Sequence, residues 1–111
     1  MNVDMNSNSL LICNMDVFTT EERENHMQST AQLYQSVKDI RELNDGYEFV
    51  FPNDSDIITG LAEFISNERL CCPFLDFTLM VSPNNEPISL LLSGPEGTKE
   101  FLQAELHEAF V

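Results

Sequence analysis

Three segments of the chain alternate apolar and polar residues, which is the pattern of a strand with one buried face. They begin at Tyr47, Phe77 and Ile88, and each places three apolar residues two positions apart. The last two segments flank a turn-forming stretch at 83–87, Pro-Asn-Asn-Glu-Pro, and this arrangement predicts a hairpin. A chain with these segments must build a sheet, and the apolar face of that sheet requires helices to cover it.

A fourth strand is predicted over residues 10–18, where every second residue from Leu11 is apolar. Thr19 and Glu22 then have the spacing of a capping box, which predicts the start of a helix. An apolar stripe at helical spacing continues to Ile40. Gly46 provides a suitable end, so this first helix is expected to stop near Asn-Asp-Gly at 44–46.

Two further helices are predicted from local signals. Asp54 or Ser55 caps the second helix, and Pro73 ends it because the residue before a proline is pushed out of helical geometry. Pro95 marks the start of the third. The expected fold class is therefore α+β, in the order β-α-β-α-β-β-α, with two layers and a four-stranded mixed sheet covered by helices mainly on one face.

The length and composition predict one domain. With 111 residues, of which 42% are apolar, the chain can fill a single hydrophobic core. Residues 1–9 are polar and rich in Asn, so we expect a disordered tail there and a single domain over residues 10–111.

The charge balance argues against two classes of partner. Five basic residues face nineteen acidic ones, for a formal charge of −14, and the basic residues do not cluster. Nucleic-acid binding is not expected without a basic footprint, and neither is docking on an anionic membrane. Three cysteines without a secretory signal favour reduced thiols and a cytoplasmic protein.

The vicinal pair Cys71-Cys72 lies where the second helix must end. The helix dipole and nearby Glu68 disfavour a thiolate there, whereas Arg69 favours one. Three roles remain open for the pair: small buried hydrophobes, a soft-metal site, or a redox-active thiol pair. Taken singly, each cysteine is better explained by burial, and Cys71 is the better candidate for a chemically available sulfur.

His26 lies at the N-terminal end of the first helix's apolar stripe, one turn from Glu22. A partly buried, hydrogen-bonded histidine is the default interpretation of this position. In the functional interpretation, His26 and Glu22 join Cys71, Cys72 and Glu68 as ligands of a thiophilic or divalent metal ion.

Four segments together resemble a small uncharacterised bacterial family. Its patterns are T-x-x-E-R-x-x-H, D-G-Y, E-R-x-C-C-P-F and G-P-E-G, and here they begin at Thr19, Asp45, Glu68 and Gly94. The family's usual Trp is replaced by Phe64, and its usual Pro by Asn44. The resemblance implies a bacterial α+β domain but no reaction. It groups Glu22, Arg23, His26, Glu68, Arg69, Cys71 and Cys72.

Three functions follow in order of preference. The first is a non-catalytic association domain that forms a homodimer, since Val50, Met80 and Leu91 place apolar side chains on the sheet's second face. The second is a sensor or carrier of a thiophilic or divalent metal ion through Cys71 and Cys72. The third is a thiol-based redox enzyme. An enzyme is the less favoured class.

Overall fold

The computed structural model describes residues 14–110, with side chains up to residue 106. The predicted tail and Cys13 lie outside the described residues. A 3-10 turn at Met15–Val17 comes first. The helices and strands that follow are α1 (Thr20–Gln35), β1 (Asp39–Glu42), β2 (Gly46–Phe51), α2 (Ser55–Cys71), β3 (Asp76–Met80), β4 (Ile88–Ser93) and α3 (Thr98–Phe110).

The sheet confirms the α+β class and the number of strands, but one of the four strands and the strand directions differ from the prediction. The strand order is β1-β2-β4-β3, and all three pairs are antiparallel. The prediction of a mixed sheet is therefore wrong. Two hairpins, β1–β2 and β3–β4, join through β2 and β4, so no strand pair needs a parallel crossover.

The first helix is shorter than predicted, and its last predicted stretch is a strand. α1 ends at Gln35, and Ser36 caps it with an amide that reaches the carbonyls of Leu33 and Tyr34. Ile40 belongs to β1, where it pairs with Phe49. Residues that continue a helical stripe also fit a strand, and the pairing available along β2 decides between the two.

The described part of the predicted first strand, from residue 14 to residue 18, is not a strand. The side chain of Asn14 accepts a hydrogen bond from the amide of Asp16 at 3.1 Å. This local bond competes with strand pairing and turns the chain into a 3-10 turn. The element order after that turn is α-β-β-α-β-β-α.

The core lies between the three helices and one face of the sheet. β2 and β4 supply its centre with alternate buried side chains, and Phe49 pairs directly with Leu90. Leu61 and Phe64 of α2 and Leu102 of α3 pack on this face. The helices therefore cover one face, as predicted. No helix within residues 14–110 is long and apolar enough to cross a membrane.

Candidate metal centre

His26 is positioned by the start of α1. The predicted capping box is present: the Thr19 amide donates to Glu22 Oε1 at 2.9 Å, and the Glu22 amide donates to Thr19 Oγ1 at 3.1 Å. The helix start is thereby fixed, and His26 enters the protein two turns later with 6% of its surface exposed. Its ring contacts those of Phe18 and Phe64, with centroid distances of 5.4 Å and 5.9 Å.

Glu68 and Cys71 come from the last turn of α2. They are three residues apart, so they share one face of the helix with Phe64. Glu68 is 5% exposed and Cys71 is fully buried. The contact that joins the two helices is a 2.8 Å hydrogen bond between His26 Nε2 and Glu68 Oε1. An ionised carboxylate only accepts hydrogen bonds, so the donor to such a carboxylate is the His26 tautomer with its proton on Nε2.

The sulfur of Cys71 completes the group. It lies 3.8 Å from Glu68 Oε1 and 3.5 Å from the Glu68 backbone carbonyl oxygen, and its thiol donates to both. Donor atoms of His26, Glu68 and Cys71 all lie within 4.8 Å of one another. Within the described part of the chain, this is the group of histidine, cysteine and acidic side chains close enough to share an ion.

The electrostatic surroundings keep the Cys71 thiol protonated. Burial, followed by the charge of Glu68, raises the pKa of Cys71 to about 12. The pKa of Tyr34 is also raised, chiefly by burial and then by Glu68. A thiol with this pKa is a poor nucleophile at neutral pH. A bound ion would favour the Cys71 thiolate instead, since a coordinated thiol loses its proton when the metal binds.

The donor set suits zinc-like ions. Thiolate, imidazole and carboxylate are the three side-chain ligands of Zn²⁺, at about 2.0 to 2.3 Å from the metal. Tetrahedral coordination at those lengths puts neighbouring donor atoms about 3.3 to 3.6 Å apart. The 2.8 Å contact between His26 and Glu68 must therefore open by about half an ångström, with the ion replacing the proton that now links them.

The structure separates the predicted ligands into two groups. His26, Glu68 and Cys71 converge, as the metal hypothesis requires. Glu22 does not join them: it is exposed, and its carboxylate is engaged in the capping box. The carboxylate that hydrogen-bonds to His26 is that of Glu68, not that of Glu22.

Cys72 lies at the edge of the cluster, but it is not the reduced thiol that the sequence predicts. Its sulfur is 3.7 Å from Cys71 Sγ and 3.4 Å from Glu68 Oε2. Cys72 is disulfide-bonded, whereas Cys71 is a free thiol. The expectation of reduced cysteines therefore fails for Cys72. Its ligand role remains a prediction for the reduced protein.

Sequence reasoning missed how the histidine is held. The pattern of buried positions along α2 runs Leu61, Phe64, Glu68 and Cys71, at steps of three, four and three residues. Because Glu68 falls in this series of buried positions, its carboxylate faces the core and requires a hydrogen-bond partner there. Phe18 carried no such signal, since its contact with His26 depends on the turn that precedes α1.

The chain has no match among family models, curated proteins or solved structures. The resemblance in the four sequence motifs therefore remains an expectation.

Proposed function

We propose that the protein binds a thiophilic divalent metal ion at Cys71, His26 and Glu68 and works as a metal sensor or carrier. The observation that carries the proposal is the convergence of three different donor types from two helices, within 4.8 Å. A thiol, an imidazole and a carboxylate brought together in the interior match the ligand preferences of such ions.

The charge and burial of the site favour binding over catalysis. A formal charge of −14 raises the concentration of cations around the molecule. The donor atoms belong to residues that are at most 6% exposed, so a bound ion would be shielded from substrates. The raised pKa of Cys71 also argues against the alternative of a thiol-based enzyme.

Cobalt(II) provides a direct test, because thiolate coordination produces a sulfur-to-cobalt charge-transfer band. We expect the protein to bind one Co²⁺ with that band and to release it to Zn²⁺. Cys71→Ser should abolish the band, and Glu68→Gln should weaken binding at least about tenfold. Glu63→Gln, an exposed change on the same helix, is the matched control. Binding that survives unchanged in Cys71→Ser would refute the proposal.

Association of two copies is the second candidate function. β3 is an edge strand, and its residue Met80, which pairs with Ser89, is 49% exposed. Val81, immediately after β3, is 52% exposed. A second copy paired along β3 would cover these side chains and satisfy the strand's free backbone groups.

A further inference from the structure

The proposed metal site offers three donors while Cys72 is oxidised. His26, Glu68 and Cys71 each contribute one ligand atom. A zinc-like ion in a structural site takes four protein ligands in a tetrahedron, whereas a site with three ligands leaves one position to water or substrate. The three residues are at most 6% exposed, so an open position suits them poorly. A fourth ligand is therefore to be sought among the neighbouring side chains.

Cys72 lies at the separation that a fourth ligand requires. Its sulfur is 3.7 Å from Cys71 Sγ and 3.4 Å from Glu68 Oε2. Two thiolates bound at about 2.3 Å to one tetrahedral ion lie about 3.8 Å apart, because both bonds are long. Cys72 is the C-cap of α2 and has left helical geometry, so two adjacent residues can bring their sulfurs together. Both sulfurs can therefore bind one ion without a large movement.

The disulfide bond withholds this ligand. Cys72 is disulfide-bonded, whereas Cys71 is a free thiol. The thiolate is the form of cysteine that binds a metal ion, and a sulfur in a disulfide carries no negative charge. The redox state of Cys72 thus determines whether the site has three strong donors or four.

We propose that the Cys72 disulfide is a redox switch on the metal site: the oxidised protein binds the ion weakly through three donors, and reduction adds Cys72 as the fourth ligand. This regulation rests on the proposed function, because it changes the affinity of that same site. The reductant is a dithiol, which breaks the sulfur–sulfur bond, leaves a thiol on Cys72 and on its partner sulfur, and becomes a disulfide itself. When the ion binds, Cys71 and Cys72 each release a proton to solvent and form a sulfur–metal bond.

Reduction and metal binding must then favour each other to the same extent. The factor by which reduction raises the affinity equals the factor by which a saturating ion raises the ratio of reduced to oxidised protein. We expect this factor to be at least about tenfold, which corresponds to about 30 mV for a two-electron couple. The protein would hold its ion under reducing conditions and release it on oxidation.

Titration with Co²⁺ compares the two redox states of the wild-type protein. Dithiothreitol reduces the protein and is removed under nitrogen before the titration, and mass spectrometry after alkylation confirms that two further thiols have been released. We expect the affinity to rise at least about tenfold on reduction and the charge-transfer band to double approximately, because two thiolates replace one. Equal affinity and equal band intensity in both states would overturn the switch. A disulfide that resists reduction in the folded protein, or a reduced protein without native circular dichroism, would overturn it too.

The variant Cys72→Ser separates the fourth ligand from the rest of the site. It should bind Co²⁺ with the low affinity of the oxidised wild type, and addition of dithiothreitol before the titration should not raise that affinity. Glu63→Gln, an exposed change on α2, is the control and should respond to reduction as the wild type does. Binding by Cys72→Ser as tight as that of the reduced wild type would overturn the switch.

The redox equilibrium provides a measurement that keeps Cys72 in place. In a buffer of dithiothreitol and its oxidised form, saturating Zn²⁺ should raise the ratio of reduced to oxidised wild type at least about tenfold. Cys71→Ser retains Cys72 but lacks the first thiol ligand, so its ratio should change much less. An equal change in both proteins would come from the effect of Zn²⁺ on the buffer and would overturn the switch.

The switch and the metal site fail in different ways. Absence of Co²⁺ binding in both redox states would refute the proposed function and the switch with it. One Co²⁺ bound with the same affinity before and after reduction would refute the switch and leave the metal site intact. Tighter binding after reduction, lost in Cys72→Ser, supports both.

Discussion

At the scale of single residues, the buried group depends on how each side chain is partnered. Glu68 accepts a hydrogen bond from His26 and lies within reach of the Cys71 thiol. Burying a carboxylate without such partners would be costly. Burial, and after it the charge of Glu68, makes the Cys71 thiol harder to ionise and so raises its pKa.

The pKa of Cys71 predicts a pH dependence of stability. It is about 12 in the folded protein against an ordinary value of 9.0, so the folded state holds the thiol proton after the unfolded state has lost it. The stabilisation is complete below pH 9 and is lost as the pH rises toward 12. We therefore expect the unfolding free energy of wild type to fall relative to that of Cys71→Ala as the pH rises above 9.

Urea unfolding of both proteins from neutral pH to about pH 11 measures this difference. Wild type should lose stability relative to Cys71→Ala above pH 9, while groups common to both proteins, Tyr34 included, cancel. A difference that stays constant over the whole range would show that the thiol ionises equally easily in the folded and unfolded chains.

At the scale of elements, the contact between β2 and β4 determines where the helices can lie. Gly46 pairs with Ser93 at the end of this contact. A Cβ atom added at Gly46 would lie 1.8 Å from the backbone oxygen of Leu92. Backbone on a central strand cannot move aside without disturbing the neighbouring pairs. Glycine is therefore required here by close approach of the two strands.

Gly46→Ala should lower the free energy of unfolding by at least about 2 kcal/mol, because the added methyl group forces the strands apart. Gly60→Ala is the matched control: its Cβ would meet only the end of the Leu33 side chain, at 3.1 Å, and α2 gains helix propensity. Urea unfolding compares the two. Similar losses in both variants would contradict the close strand contact.

At the scale of the whole molecule, net charge opposes association. Two copies that each carry a formal charge of −14 repel one another unless salt screens them. The surface that would bring them together, around β3, contains Met80 and Val81, each about half exposed. Assembly along this edge must therefore depend strongly on ionic strength.

Sedimentation equilibrium tests the association. If two copies pair along β3, the dimer fraction should rise as the salt concentration increases from about 0.01 M to about 0.15 M, and Met80→Lys should remove it. Met27→Lys, which changes an exposed methionine on α1, is the control. A monomer at all salt concentrations would exclude the homodimer.

Local signals predicted most of the elements. The Thr19–Glu22 capping box, the Asp54 cap of α2 and the β3–β4 hairpin all appear where sequence placed them. Errors arose where one pattern suited two structures. Ile40 continues the helical stripe of apolar residues but lies in β1. The alternating residues before Thr19 form a 3-10 turn, because the Asn14 side chain accepts a hydrogen bond from the amide of Asp16.

Sequence alone determined which donor residues the chain offers and that Cys71 must lie at a helix end, because Pro73 forbids the helix to continue. Tertiary structure decided which of them meet. His26 and Glu68 are 42 residues apart, and only the packing of α1 on α2 brings them to 2.8 Å. Glu22 is closer to His26 in sequence, yet its carboxylate accepts a hydrogen bond from the Thr19 amide in the helix cap. Spacing along a helix is a local property, whereas a contact between helices depends on the core that both help to bury.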